Sequence, residues 1–320
     1  MGKILKKADR NMLTLLVISV LIVVLMGIKA PAFLGMKNIQ GMLIQFPEYG
    51  ILAFGMMLAM ISGGIDLSLV GIANFSGIVA SVILLKMGGT DAAIVASILA
   101  ALLVGALCGL FNGFMIGYLQ IPAMLVTLCG LQLFTGLGLI ITKGPAITGL
   151  PAAFNNIANG TILGIPTGAV LFVLIAFVLS YFLNNTVYGK SLYLMGTNAV
   201  ASKFSGINNL RITIQTYMLS GIFGGISGVL MASRYNSAKS DYGSSYTLLT
   251  LLIVVLGGVN PNGGRGKVAG VAMSILLLQL VSSAFNILRI NAFVKTFAWG
   301  LILLLVMAGM KLLERKHEQS

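Results

Sequence analysis

Charge is what this sequence has least of. Only 8% of its 320 residues are charged, its acids number seven, and it carries one His and one Trp. So little polar surface cannot cover a water-soluble domain. Two cysteines, Cys108 and Cys129, lie in apolar runs with no CxxC or Cys/His spacing; they form neither a disulfide framework nor a zinc site and are expected as small core residues. The single His317 stands in a charged tail, which leaves no acid–base or metal constellation and argues against an enzyme or a bound cofactor. A net charge of +13 would suggest nucleic acid in a soluble chain, but here its distribution has another use.

What is present is apolar length. The chain is 58% hydrophobic, with 40 glycines, and its mean hydropathy is +1.02. Its apolar runs are about 20 residues long, the length an α-helix needs to cross a bilayer. Ten are read, at roughly 12–29, 40–62, 67–86, 92–118, 122–142, 167–187, 212–233, 245–259, 267–288 and 293–311. The expected fold is therefore all-α, a polytopic membrane protein with one transmembrane domain over 1–320. The basic start MGKILKKADR leads into the first run without an A-x-A-like cleavage site, so that run is expected to remain as an anchor in the lipid. With ten spans and both termini cytoplasmic, the inner side holds Lys3, Lys6, Lys7, Arg10, Lys190, Lys203, Arg211, Arg265, Lys267, Lys311, Arg315 and Lys316, more than half of the 20 cations.

One polar interruption, residues 188–211 (YGKSLYLMGTNAVASKFSGINNLR), falls on that side and carries a cation cluster. Within it Thr197 and Asn198 can cap a helix start, Ala199 to Ser205 fit two turns, and Gly206 is suited to end them. A helix so short is marginal in water. Val200, Phe204 and Ile207, at i, i+4, i+7, would give it one apolar ridge, so it is expected to pack against a cytoplasmic partner protein.

Other features bear on a path through the membrane. Pro47 and Glu48 interrupt the second run, where a proline can bend a helix that lines a path or merely one that packs. Ser62-Gly63-Gly64-Ile65-Asp66-Leu67-Ser68 separates the second and third runs; Asp66 either caps the next helix or belongs to a gate or substrate contact. Polar residues inside spans are Asn74, Asn112, Gln132, Gln215, Tyr217, Gln279 and Asn286, each expected to tie helices together or to meet a ligand. Phe46, Phe54 and Phe75 could offer an aromatic face to a sugar. Gly221, Gly224, Gly225 and Gly228 have the small-xxx-small spacing of a tight helix crossing. The segment 143–166 is the longest external loop, fit for binding or for plain connection. Residues 256–267 are glycine-rich but lack the spacing of a phosphate loop.

Four motifs carry a resemblance. SGGIDLS at 62–68, Asn112-Gly113 with Ile-Pro and Val-Thr-Leu following at 121–128, G-x-N-x-x-A-x-x-x-SGI at 196–207, and VLGGVNPNGGRGKVAG at 255–270 resemble the permeases of bacterial ABC importers for ribose-type simple sugars and autoinducer-2. The likeness runs from about residue 36 to 310 and departs from the usual pattern at Leu69-Val70-Gly71, Ala123-Met124 and Ala199-Val200. It implies a type II importer fold in the bacterial inner membrane, paired with a second permease copy or paralogue. It also implies a substrate-binding protein outside and an ATPase inside that binds ATP and Mg. It makes 188–211 the coupling segment, with Gly196, Asn198, Val200, Phe204, Gly206 and Ile207 toward the ATPase. Candidates for the substrate path are Phe46, Glu48, Phe54, Asp66, Asn74 and Asn112. The competing reading is an ion-coupled secondary transporter, for which only Glu48 and Asp66 offer membrane acids.

Overall fold

The structure, a computed structural model, describes residues 2–318. The side chains of Lys3, Lys6, Lys7, Arg10, Lys311, Arg315, Lys316 and His317, invoked above for sidedness, lie outside what it describes. The helices are α1 (Gly2–Lys29), α2 (Met36–Ile61), α3 (Leu69–Lys86), α4 (Asp91–Gly117), α5 (Ala123–Thr142), α6 (Ala152–Asn159) and α7 (Thr167–Asn185). There follow α8 (Val187–Thr197), α9 (Ala199–Phe204), α10 (Asn209–Tyr235), α11 (Tyr246–Leu256), α12 (Val268–Ile287) and α13 (Ala292–Glu318). Strands are confined to two-residue pieces: β1 (Ile147–Thr148) pairs antiparallel with β4 (Ser237–Ala238), and β2 (Thr161–Ile162) with β3 (Ile165–Pro166).

Among the described residues eight helices are long and apolar enough to cross a membrane, and two further apolar helices are shorter. The expectation of ten equal spans therefore changes at the ninth and tenth. The run 245–259 yields only the 11-residue α11, about 16 Å long against a hydrocarbon core of about 30 Å. Gly257 ends it, in a passage so tight that a Cβ there would lie 2.8 Å from the Val271 backbone. The tenth run becomes α13, whose apolar part covers Phe293–Ala308.

α2 is the axis of the molecule. Every residue from Phe46 to Ile61 is buried, and α2 continues unbroken through Pro47. Around it pack α3, α7, α10, α11 and α12. Hydrophobic driving force is weak between helices in lipid, so close backbone approach must supply the contact energy. The glycine stripe of α10 does so. A Cβ at Gly221 would stand 2.1 Å from the Gly105 carbonyl oxygen, at Gly225 2.6 Å from that of Ala101, and at Gly228 2.1 Å from that of Ala73. α10 is thereby wedged between α4 and α3, as its spacing suggests.

At one end of the bundle the segment after α5 folds back rather than hanging free. Ser233 donates to the Phe154 carbonyl at 2.8 Å and accepts from the Ala158 N–H at 2.9 Å, which seats α6 on α10. Cys108 is buried, whereas Cys129 lies on the exposed face of α5, so only the first is the core residue expected of both.

Candidate functional site

The opposite end carries the 188–211 segment. Asn198 caps α9 as its side chain permits, accepting from the N–H groups of Val200 and Ala201 at 3.0 and 2.9 Å. Gly206 ends the turn in the left-handed region, at φ +82°, where a side chain would be strained. Val200 and Phe204 point away from the bundle, 67% and 89% exposed. Ile207 does not share their ridge: it is half-buried against the main core, because the turn at Gly206 reverses the chain before the third ridge position. The outward apolar face is thus two residues wide.

The root of this element is far more constrained than its tip. A Cβ at Gly196 would lie 1.8 Å from the Ile61 carbonyl oxygen and 2.6 Å from the Gly264 nitrogen. The Gly264 N–H itself donates to that Ile61 oxygen at 2.9 Å. Three chain segments therefore meet backbone to backbone: the end of α2, the end of α8 and the glycine-rich turn 257–267. Tyr193 adds a hydroxyl donated to the Gly266 carbonyl at 2.8 Å, and burial pushes its phenol up to about 12. Burial likewise raises the Tyr188 phenol, which shares a 2.9 Å hydrogen bond with Thr216. Asn209 closes the segment from the α10 side, donating to the Ala199 carbonyl at 2.7 Å and accepting from Ser202 at 2.9 Å.

The candidate path residues divide into separate groups. Asp66 and Asn112 are brought together: Asp66 accepts from the Ser68 N–H and hydroxyl at 3.1 and 2.6 Å and from the Ser220 hydroxyl at 2.7 Å, and Asn112 donates to Ser68 at 2.8 Å. Asp66 thus ties the non-helical turn 62–68 to α10, in the way irregular backbone is tolerated at depth only where protein buries it. Asn74 holds the opposite end, donating to the carbonyls of Ser240 and Tyr242 at 2.8 and 2.9 Å. The cavity beside it, about 10 Å³, has room for no more than a water. Phe46 and Phe54 do not offer an open aromatic face; both rings pack on Phe172, at centroid distances of 4.9 and 5.1 Å. Phe75 packs beside the cluster of Ile72, Cys108 and Phe134. Of the remaining span polars, Gln279 ties α12 to α2 by accepting from Tyr49, and Asn286 accepts from Lys295 at 2.7 Å. Gln132 is exposed and Gln215 half-buried. The Tyr217 hydroxyl is buried with no hydrogen-bond partner among the described residues.

Glu48 gathers partners that its position in the sequence does not announce. It is 1% exposed, and one of its oxygens, Oε1, accepts from Arg234 at 2.5 Å, from Tyr235 at 3.1 Å and from Tyr246. Ser227 donates to its carbonyl at 2.5 Å. Arg234 and Tyr235 are the last residues of α10 and Tyr246 the first of α11, so α2, α10 and α11 converge on a single carboxylate. The available signal was an Arg-Tyr pair at a span end, which reads equally as an ordinary solvated loop.

A family model described as branched-chain amino acid transport system / permease component matches residues 38–307. The ribose import permease protein RbsC of Bacillus subtilis (strain 168) is 36% identical over 299 residues, covering 92% of this chain and 90% of that protein. The L-arabinose transport system permease protein AraH of Escherichia coli (strain K12) is 32% identical over 290 residues, 91% and 87% of the two chains. The autoinducer 2 import system permease protein LsrD of Photorhabdus temperata is 30% identical over 310 residues, 95% and 92%. No solved structure gives a significant match. With spanning helices around a buried α2, and a match that takes in most of the chain, this protein belongs to the family of branched-chain amino acid transport system permease components: a multi-pass transport permease and not an enzyme.

Proposed function

We propose that the chain is the permease subunit of an ATP-driven importer in the bacterial inner membrane and that it passes a simple sugar or sugar-like molecule. Its relatives are named for ribose, arabinose and autoinducer-2 import, which supports a small polyhydroxylated cargo over an amino acid. The observation that carries the mechanism is the pairing of an exposed tip, Val200 and Phe204, with a root wedged against Ile61 and Gly264. An ATPase that grips the tip on the cytoplasmic side moves α2, and with it the helices packed around α2, in a rigid-body switch. ATP and Mg belong to that partner. A binding protein delivers cargo at the other end, where the 143–166 and 236–245 segments lie. A second permease, identical or paralogous, completes the passage, since Phe46 and Phe54 are already spent on Phe172 within this chain.

The test is uptake of labelled D-ribose and L-arabinose by proteoliposomes holding the chain with its ATPase and binding protein. Uptake is expected only with all components and ATP. Phe204→Asp should abolish it and the binding-protein stimulation of ATP hydrolysis while membrane insertion stays normal. Survival of both activities in Phe204→Asp would remove α9 as the contact. Sodium- or proton-driven accumulation by the chain alone would overturn the reading.

A further inference from the structure

We propose that Glu48, Arg234, Tyr235 and Tyr246 form a receiving site for a neutral polyhydroxylated molecule, closed in this conformation, at the α2–α10–α11 junction; this rests on the sugar-permease reading above. The first observation is an imbalance on the carboxylate. Oε1 of Glu48 takes three donors, whereas Oε2 is buried and meets no donor among the described residues. A buried acceptor left without a donor is costly, and a ligand hydroxyl would satisfy it.

The second observation is the surround. The Tyr235 ring lies 5.1 Å from Tyr242, Tyr49 lies 5.5 Å from Tyr246, and the Arg234 guanidinium sits 5.0 Å above Tyr235. Phenol hydroxyls that donate or accept, a carboxylate that accepts from hydroxyls and a guanidinium that donates to them are thus within one cluster, with the rings packed on one another in this closed state. The third is access. Tyr235 is 38% exposed and the Arg234 side chain 22%, so the cluster grades from partly exposed residues to the buried acid.

The charges select the ligand class. Glu48 and Arg234 neutralise each other at 2.5 Å, so an uncharged polyol can donate to Oε2 without bringing a charge out of water, whereas a zwitterionic amino acid brings two that must be desolvated. The site thereby separates two cargo classes that family membership alone leaves together. Next to Glu48, Tyr49 donates to Gln279, which adds hydroxyl and amide groups between α2 and α12.

The experiment uses the full importer in proteoliposomes, with Cys108→Ala, Cys129→Ala and Tyr235→Cys in the permease, and follows labelling by an impermeant maleimide. D-Ribose or L-arabinose should slow labelling by about threefold or more, the protection expected at a concentration of twice the dissociation constant. L-Leucine should leave the rate unchanged. Asp241→Cys, whose side chain is 63% exposed on the neighbouring loop, should label equally with and without sugar. Adding Glu48→Gln should remove the protection at position 235 while labelling without sugar continues, which reports a folded protein. Absence of pentose protection overturns the site, whatever the wild type carries. If wild-type pentose uptake is intact in that case, the permease reading stands without the site; if leucine is both carried and protective, both fall.

Discussion

Gly196 shows how little room one residue can have. Its α-carbon faces a main-chain oxygen and a main-chain nitrogen, neither of which can rotate away, so a side chain there must part α8 from α2 and from the 257–267 turn. Over-packing of this kind costs typically about 1–3 kcal/mol, and more where backbone must move. Gly196→Val is expected to insert in the membrane yet lose at least about tenfold in ATP-driven uptake, the equivalent of about 1.4 kcal/mol in the coupled switch. Uptake equal to wild type would show that α8 need not touch α2. Tyr193 bears on the same junction through pH. Its phenol ionises near 10 when free and at about 12 when folded. Between those values the unfolded chain loses a proton that the folded one keeps, so the contribution of Tyr193 to stability is constant below pH 10 and declines as pH rises through that window. Melting in detergent should therefore fall less steeply with alkali in Tyr193→Phe, at the expense of about 0.5–1.5 kcal/mol for the lost bond to Gly266 at neutral pH. Parallel curves would remove Tyr193 from the junction.

At the scale of elements, the crossing of α10 with α4 decides whether the bundle closes. Gly221 and Gly105 each present the other's carbonyl oxygen where a Cβ would sit. Gly221→Val is expected to lower the melting temperature in detergent markedly and to reduce the folded yield, whereas Gly136→Val, where nothing stands within 4 Å, should change neither. Equal behaviour of the two would deny the crossing. This contact was legible in the sequence because small residues at i, i+4 and i+7 have few other uses in a membrane helix. The length of α11 was not. Apolar composition runs on through Val259, whereas the helix stops at Gly257 because Gly258 enters the left-handed region at φ +81° and the Val259 N–H turns back to the Val254 carbonyl, which no window of hydropathy contains.

For the molecule as a whole, one orientation puts α9 in the cytoplasm and the β-paired end outside. In intact cells a cysteine at Leu163, on the exposed tip between β2 and β3, should label with an impermeant maleimide, and a cysteine at Phe204 only after permeabilisation. The reverse pattern would invert the protein and move the ATPase to the other end. In either case α2 joins the two ends, with the Glu48 cluster on its course and the Gly196 junction at its terminus.

Composition and spacing alone determined that this chain lives in a bilayer, that its spans are helices, that α10 makes a close crossing and that Asn198 starts a short helix. Each of those follows from local chemistry: transfer of apolar length, backbone satisfaction within one helix, and a cap two and three residues from its donors. Tertiary structure decided the rest. Glu48 finds Arg234 and Tyr246 across gaps of 186 and 198 residues, Phe46 and Phe54 close on Phe172 instead of on a passage, and Ile207 turns inward behind Gly206. Those outcomes depend on which helices lie side by side, and that is fixed by the sum of many weak backbone approaches rather than by any one stretch of residues.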